Sequence, residues 1–258
     1  ARTGREPVMF LQIMRIQFSL AWVIGPPLAF AFMGSFGFRK LFVLSSLVYF
    51  ITFAAALFLL PKGDSRDAGI KSAHRDKVFE KNVILLFIAC TLMWTSNTMY
   101  LIAMPQYVTH ILKYSSGLSG YMMGTAAFLE VPVMLITGKL ANRLGIKTFM
   151  IASAAGGVLF YVMMLLVVSP ELLLAAQLFN AIYIGILAGI GMVYFQELLP
   201  SVPGEATTIF SNSGAVGGMA AGVTAGAIAA LYGFDYVFTA DLLLAAAACV
   251  MLFFVRKV

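Results

Sequence analysis

PKGDSRDAGIKSAHRDKVFEKN (61–82) carries six Lys/Arg and four acidic residues in a 258-residue chain that is 61% hydrophobic and only 11% charged. Soluble domains hold charged residues at near a quarter of their length, so the composition is that of a membrane protein. No other segment is long and polar enough to act as a linker. On both sides of it the apolar residues run in stretches of about 20 or more, the length an α-helix needs to cross roughly 30 Å of hydrocarbon. Read against charged and turn-forming breaks, they give eight spans: 8–34, 41–60, 83–108, 117–138, 147–168, 171–199, 206–231 and 234–255. The expected fold is therefore all-α, with two helices in 1–60, a linker over 61–82 and six helices in 83–258. An outer-membrane barrel is excluded, because its strands would alternate strictly over about 10 residues.

The basic residues set the orientation. With 61–82 in the cytoplasm, the alternation of spans puts Arg2, Arg5, Lys139, Arg143, Lys147, Arg256 and Lys257 on the same side as the six in the linker. Thirteen of the 17 Lys/Arg then lie inside, with Arg39, Lys40 and Lys113 outside and Arg15 within the first span. That bias predicts both termini in the cytoplasm. It also explains the net charge of +6 without a nucleic-acid partner. Cys90 and Cys249 are too few for a disulfide framework or a thiolate metal site. The opening ARTGREPVMF (1–10) has neither an initiating Met nor the pattern of a signal peptide, so a truncated chain is expected.

Two motifs stand out. LAWVIGPPLAF (20–30) places Gly25-Pro26-Pro27 in mid-membrane, where a missing donor and a clash one turn back require a kink or support from neighbouring helices. GKLANRLGIK (138–147) offers Gly138, then Asn142-Arg143, Gly145 for a four-residue turn and Lys147 opening the next span. Glycine there accommodates positive φ, and the cations suit a helix C-terminus at the inner leaflet.

GKLANRLGIK resembles the loop motif of the major facilitator superfamily, which runs Gly, three residues, Asp, Arg or Lys, any residue, Gly, then basic residues. Asn142 stands in place of the acid and Ile146 in place of the first basic residue. Gly25-Pro26 resembles the fifth-helix motif of that superfamily's exporters, with Ala21 and Ala29 replacing the flanking glycines. Longer stretches, RIQFSLAWVIGPPLAF (15–30), LMWTSNTMYLIAMP (92–105), MGTAAFLEVP (123–132), QLFNAIYIGILAGIGM (177–192) and FQELLP (195–200), are similar to the bacterial sugar efflux transporter family. The resemblance implies helices five to twelve of a twelve-helix fold, so four N-terminal helices are missing. It implies export of lactose, glucose or related glycosides across the bacterial inner membrane by alternating access. The proton gradient is then the energy source and no cofactor is needed. A site shared by two halves implies that this segment alone does not transport.

Read one at a time, the buried polar residues supply candidates for that chemistry. Polar groups in hydrocarbon are costly unless partnered, so they should face the bundle interior or a wet cavity. Glu130, mid-span in GTAAFLEVPVML, is the candidate proton carrier, and a neutral carboxyl bonded to another helix is the structural alternative. Arg15 is either its charge partner, a fork onto sugar hydroxyls or a cation snorkelling to headgroups. Trp94, Asn97 and Tyr100 in the third span, Gln177 and Asn180 in the sixth, Asn212 in the seventh and Trp22 in the first offer the amides and aromatic rings that sugars require. Such amides also join membrane helices to one another. Gly214, Gly218, Gly222 and Gly226 form a ridge that predicts close helix packing. Asp241 in the last span is read as peripheral, with a second proton site as the alternative, and His74 and His110 fall in expected loops. A multidrug exporter of the same fold would show fewer amides. A membrane-embedded enzyme is set aside, since the chain holds no metal-spaced cluster and no Ser or Cys nucleophile paired with a histidine.

Overall fold

The structure is a computed structural model and describes residue 21, residues 23–59 and residues 80–256. Arg15, Trp22, His74 and most of the 61–82 linker lie outside the described residues. Every regular element among the described residues is helical. In chain order they are α1 (Val23–Phe36), α2 (Phe38–Leu59), α3 (Lys81–Gln106), α4 (Ser116–Leu144), α5 (Ile146–Leu166), α6 (Pro170–Leu198), α7 (Pro203–Leu231) and α8 (Asp235–Phe254). Seven of these are long and apolar enough to cross a membrane, and the described part of the first span, α1, is shorter.

Local chemistry sets the helix starts. Pro170 and Pro203 open α6 and α7, where a missing N–H costs nothing. Glu171, Glu205 and Asp235 place acids in the first turns of α6, α7 and α8, against the positive end of each helix dipole.

The breaks are shorter than the sequence suggests. Between α1 and α2 the expected loop contracts to Gly37, at φ +82°. The four-residue turn expected in GKLANRLGIK contracts to Gly145 alone. Gly138, Asn142 and Arg143 all lie within α4, and Gly145, at φ 85° and ψ 140°, turns the chain directly into α5. Its N–H donates to Ala141 O at 2.9 Å, which satisfies one of the last carbonyls of α4. Lys81 and Asn82, assigned to the linker from sequence, form the first turn of α3 after an extended Glu80. His110 is not in a loop either. Pro105 removes a donor late in α3, and the chain continues through a π-helical segment, Tyr107–Ile111, that contains His110. Leu112 N–H reaches back five residues to Tyr107 O, and Thr109 Oγ1 donates to Pro105 O at 2.7 Å.

α3 to α8 form the packed bundle. α3 lies against α7 and α8, α5 against α6 and α8, and α4 against α6. Small residues permit the closest approaches. A Cβ at Gly157 on α5 would stand 2.8 Å from the Tyr183 ring on α6. On α7 the buried face is Ser213, Gly217, Ala221 and Ala225, and it packs on α3. The expected glycine ridge is offset from this face by one residue. Gly218, Gly222 and Gly226 meet nothing within 4 Å among the described residues, whereas a Cβ at Gly217 would stand 2.8 Å from Trp94 Cβ. Lipid and protein interior are equally apolar, so hydropathy does not distinguish the two faces.

Among the described residues α2 has no buried residue in its membrane-length window, whereas α1 docks on α4. Gly120 and Gly124 of α4 receive Pro27 and Phe30, and a Cβ at Gly124 would lie 3.1 Å from Pro27 Cγ and 3.2 Å from Val23 O. Gly25 itself meets nothing within 4 Å among the described residues, and the Gly-Pro stretch engages α4 through Pro27.

One end of the bundle is tied across helices. Lys147 Nζ donates to Phe253 O at 2.7 Å and Val255 O at 2.5 Å, a cation on the last carbonyls of α8. Tyr194 Oη donates to Arg256 O at 2.6 Å, and Arg256 N–H donates to Asn82 Oδ1 at 2.8 Å. The last residues after α8 are thereby joined to α3, α5 and α6.

Candidate functional site

A cavity of about 300 Å³ opens between α3, α4 and α6. That is at the lower end of the range for small-molecule sites. α3 contributes Trp94, Asn97, Thr98, Tyr100 and Leu101, which recur at helical spacing along one face. α4 contributes Met123, Ala126, Ala127, Glu130 and Met134, and α6 contributes Asn180, Ile184 and Ala188. Gly185 on α6 lets α4 come close beside Glu130, because a Cβ there would lie 3.2 Å from Val133 Cγ1 and 3.5 Å from Glu130 Cα.

The polar groups of the wall are held by one amide. Gln177 Oε1 accepts from Asn180 Nδ2 at 3.0 Å and from Tyr100 Oη at 3.4 Å, while Gln177 Nε2 donates to Leu173 O at 3.1 Å. These bonds orient Asn180 and leave its Oδ1 with no hydrogen-bond partner. Trp94 Nε1–H is likewise buried without a partner. Buried polar atoms are rarely left unsatisfied. Two residues that line the cavity, Trp94 on α3 and Asn180 on α6, thus carry an orphan donor and an orphan acceptor, and a ligand hydroxyl both donates and accepts. The Trp94 ring adds an apolar face, steadied edge-on by Phe210 with centroids 6.3 Å apart.

The cavity therefore gathers Trp94, Asn97, Tyr100, Asn180 and Glu130 from three helices separated in sequence. Gln177 does not line it and instead supports Tyr100 and Asn180 from behind. Asn212 is exposed on α7 and does not line this cavity, because Ser213 and Gly217 are the residues that α7 turns toward α3. Arg15 and Trp22 fall outside the described residues. The apolar wall of Met123, Met134 and Ile184 went unread in the sequence, where such residues cannot be told from lipid-facing ones.

Beside the cavity lies a polar cluster that sequence reading also missed. Tyr183 Oη and Ser96 Oγ are 2.6 Å apart, Tyr183 Oη also reaches Met93 O at 2.8 Å, and Ser153 Oγ donates to Tyr183 O at 2.5 Å. Asp241 belongs to this region and is not peripheral, since it is 0% exposed. No group of three or more His, Cys, Asp or Glu that could hold a metal is present among the described residues.

The described helices are thus of membrane length and pack around a mainly apolar cavity into which Asn97, Glu130 and Asn180 bring polar groups. The chain belongs to the Major Facilitator Superfamily, whose pattern matches residues 9–170 and 86–258. It is 42% identical over 258 residues to sugar efflux transporter A of Dickeya chrysanthemi, covering 100% of this chain and 66% of that protein. It is 45% identical over 240 residues to sugar efflux transporter B of Salmonella typhimurium, covering 92% of this chain and 61% of the relative. It is 42% identical over 258 residues to sugar efflux transporter A of Escherichia coli, covering 99% and 65%. The chain thus spans about two thirds of the length of these relatives, which are transporters and not enzymes.

Proposed function

We propose that the protein serves in proton-coupled efflux of sugars, lactose, glucose or related glycosides, across the bacterial inner membrane, with both ends of this chain in the cytoplasm. The observation that carries the reading is a cavity lined by Trp94 and Asn180, whose Nε1–H and Oδ1 are unsatisfied, together with Glu130. A pyranose presents hydroxyls to the amides and an apolar face to the indole. The names of the relatives support the same substrate class. Sugar occupies the surface of α3, α4 and α6, and the four N-terminal helices expected from the motif register help to complete the opposite side. Alternating access follows if sugar and proton each bind one of two arrangements of the bundles better than the other. Glu130, beside the sugar, is the coupling carboxyl, because a charge at this depth is costly and a proton removes it.

The test is accumulation of radiolabelled lactose in cells producing the full-length transporter, its Glu130→Gln variant and the 258-residue chain alone. Low accumulation that an uncoupler reverses, and that both altered forms lose, is the expected result. Export that remains sensitive to the uncoupler in Glu130→Gln removes Glu130 from the coupling, and unchanged accumulation throughout overturns the sugar assignment.

A further inference from the structure

Asp241 is the one carboxylate among the described residues with both oxygens fully enclosed and neither hydrogen-bonded. It lies on the buried face of α8 with Val237, Phe238 and Ala245, against α3 and α5. The Tyr161 hydroxyl from α5, also enclosed, and the Tyr183 hydroxyl from α6 both lie within electrostatic reach of it. The titratable groups that face this region are Cys90 and Tyr100 from α3, Tyr161 from α5 and Tyr183 from α6, and α7 presents none. On α8 itself the nearest titratable groups are Tyr236 and Asp235, five and six residues before it in the first turn. No Lys, Arg or His among the described residues compensates Asp241. Lys147, the cation beside α8, is committed to carbonyls at the far end of that helix.

A carboxylate enclosed without a counter-ion or a donor is among the costliest arrangements a protein can hold, and a structural role would supply a partner. The group that neutralises it with no added volume is a proton. We propose that Asp241 is a second proton-binding site of the transporter, set behind the sugar cavity and coupled to it through α3 and α6. Those two helices each line the cavity with one face and the Asp241 region with an adjacent one. On α3, Trp94 and Asn97 face the sugar while Ser96 meets Tyr183. On α6, Asn180 faces the sugar while Tyr183 bonds back to Ser96 and Met93 O. A charge appearing on Asp241 draws the Tyr161 and Tyr183 hydroxyls toward it, and the Ser96–Tyr183 bond passes the shift to both cavity walls. The proton comes from hydronium, forms one O–H bond on the carboxyl and leaves to water, so nothing is oxidised or reduced.

This inference rests on the sugar reading for its coupling and on Asp241 alone for its chemistry, and the experiment separates the two. In the full-length transporter in lipid nanodiscs, infrared spectra across a pH titration without sugar are compared between wild type and Asp241→Asn. A carboxylic-acid C=O band that titrates with pH and is missing from the variant is expected, and its absence from wild type overturns the proposal. Lactose affinity is then measured against pH. One linked proton changes Kd tenfold per pH unit, so the slope in Asp241→Asn falls by that amount while Asp241→Glu retains it. A variant that binds lactose with the wild-type slope overturns the coupling, as does a slope that follows sodium in place of pH. Failure of wild type to bind lactose refutes the sugar reading, and the infrared titration still decides whether Asp241 takes a proton.

Discussion

Gly217 and Gly218 are neighbours on α7 and should respond in opposite directions to the same substitution. In Gly217→Ala the new Cβ would stand 2.8 Å from Trp94 Cβ, 2.9 Å from Thr91 O and 3.0 Å from Thr95 N, where ordinary contact begins at 3.4 Å. Two of those three atoms are backbone of α3, and Thr91 O already accepts Thr95 Oγ1 at 2.8 Å, so no side chain can swing aside. The helices must separate by about half an ångström, and a gap of that size forfeits roughly a quarter or more of each dispersion contact along the seam. Overpacking of this kind costs about 1–3 kcal/mol. In Gly218→Ala nothing lies within 4 Å of the new methyl group among the described residues, and replacing a helical glycine gains about 0.5–1 kcal/mol. The assay is thermal unfolding of the 258-residue chain in detergent followed by tryptophan emission, to which Trp94 contributes from within the seam. At about 2–4 °C per kcal/mol, Gly217→Ala should lower Tm by several degrees and Gly218→Ala should leave it unchanged or raised. Equal losses in the two variants would refute the packing of α7 on α3 through Gly217.

Asn180→Ala removes the orphan acceptor and the bond to Gln177, and should weaken lactose binding by about 1 kcal/mol, roughly fivefold in Kd by titration calorimetry. Asn212→Ala, exposed on α7, should stay within about twofold of wild type, less than half a kcal/mol, and a large loss there would return Asn212 to the binding wall. Tyr183→Phe deletes a hydroxyl bonded to Ser96 and Met93 O, but Ser96 Oγ keeps its own bond to Met93 O at 3.0 Å. The expected loss is therefore near the low end for a buried hydrogen bond, about 1 kcal/mol in chemical denaturation, and a null effect would show that the cluster adds no stability.

The candidate site was legible where a polar side chain interrupts an apolar helix. Glu130, Asn97 and Asn180 each stand out because hydrocarbon penalises them, and all three line the cavity. Gln177 was legible by the same signal but proved to be a support, since its oxygen is taken by Tyr100 and Asn180. Asn212 carried the signal equally and sits outside the cavity. Asp241 carried it too, and the usual place of terminal spans suggested the periphery where the packing puts it in full enclosure.

Sequence alone determined the membrane class, the helical character of the described residues, the superfamily and the kinship with sugar efflux transporters. Those properties depend on the length and hydropathy of local runs and on words such as GKLANRLGIK, which need no partner to be read. Only the tertiary structure decided which face of each helix turns inward. It put Trp94, Glu130 and Asn180 around one cavity, gave the α3 contact to Gly217 and not to Gly218, and enclosed Asp241 beside Tyr161. The reason is physical: in a soluble protein water marks the outer face with polar residues, but lipid and a protein core are equally apolar. A membrane helix therefore states its length in its sequence and leaves its orientation about its own axis to packing.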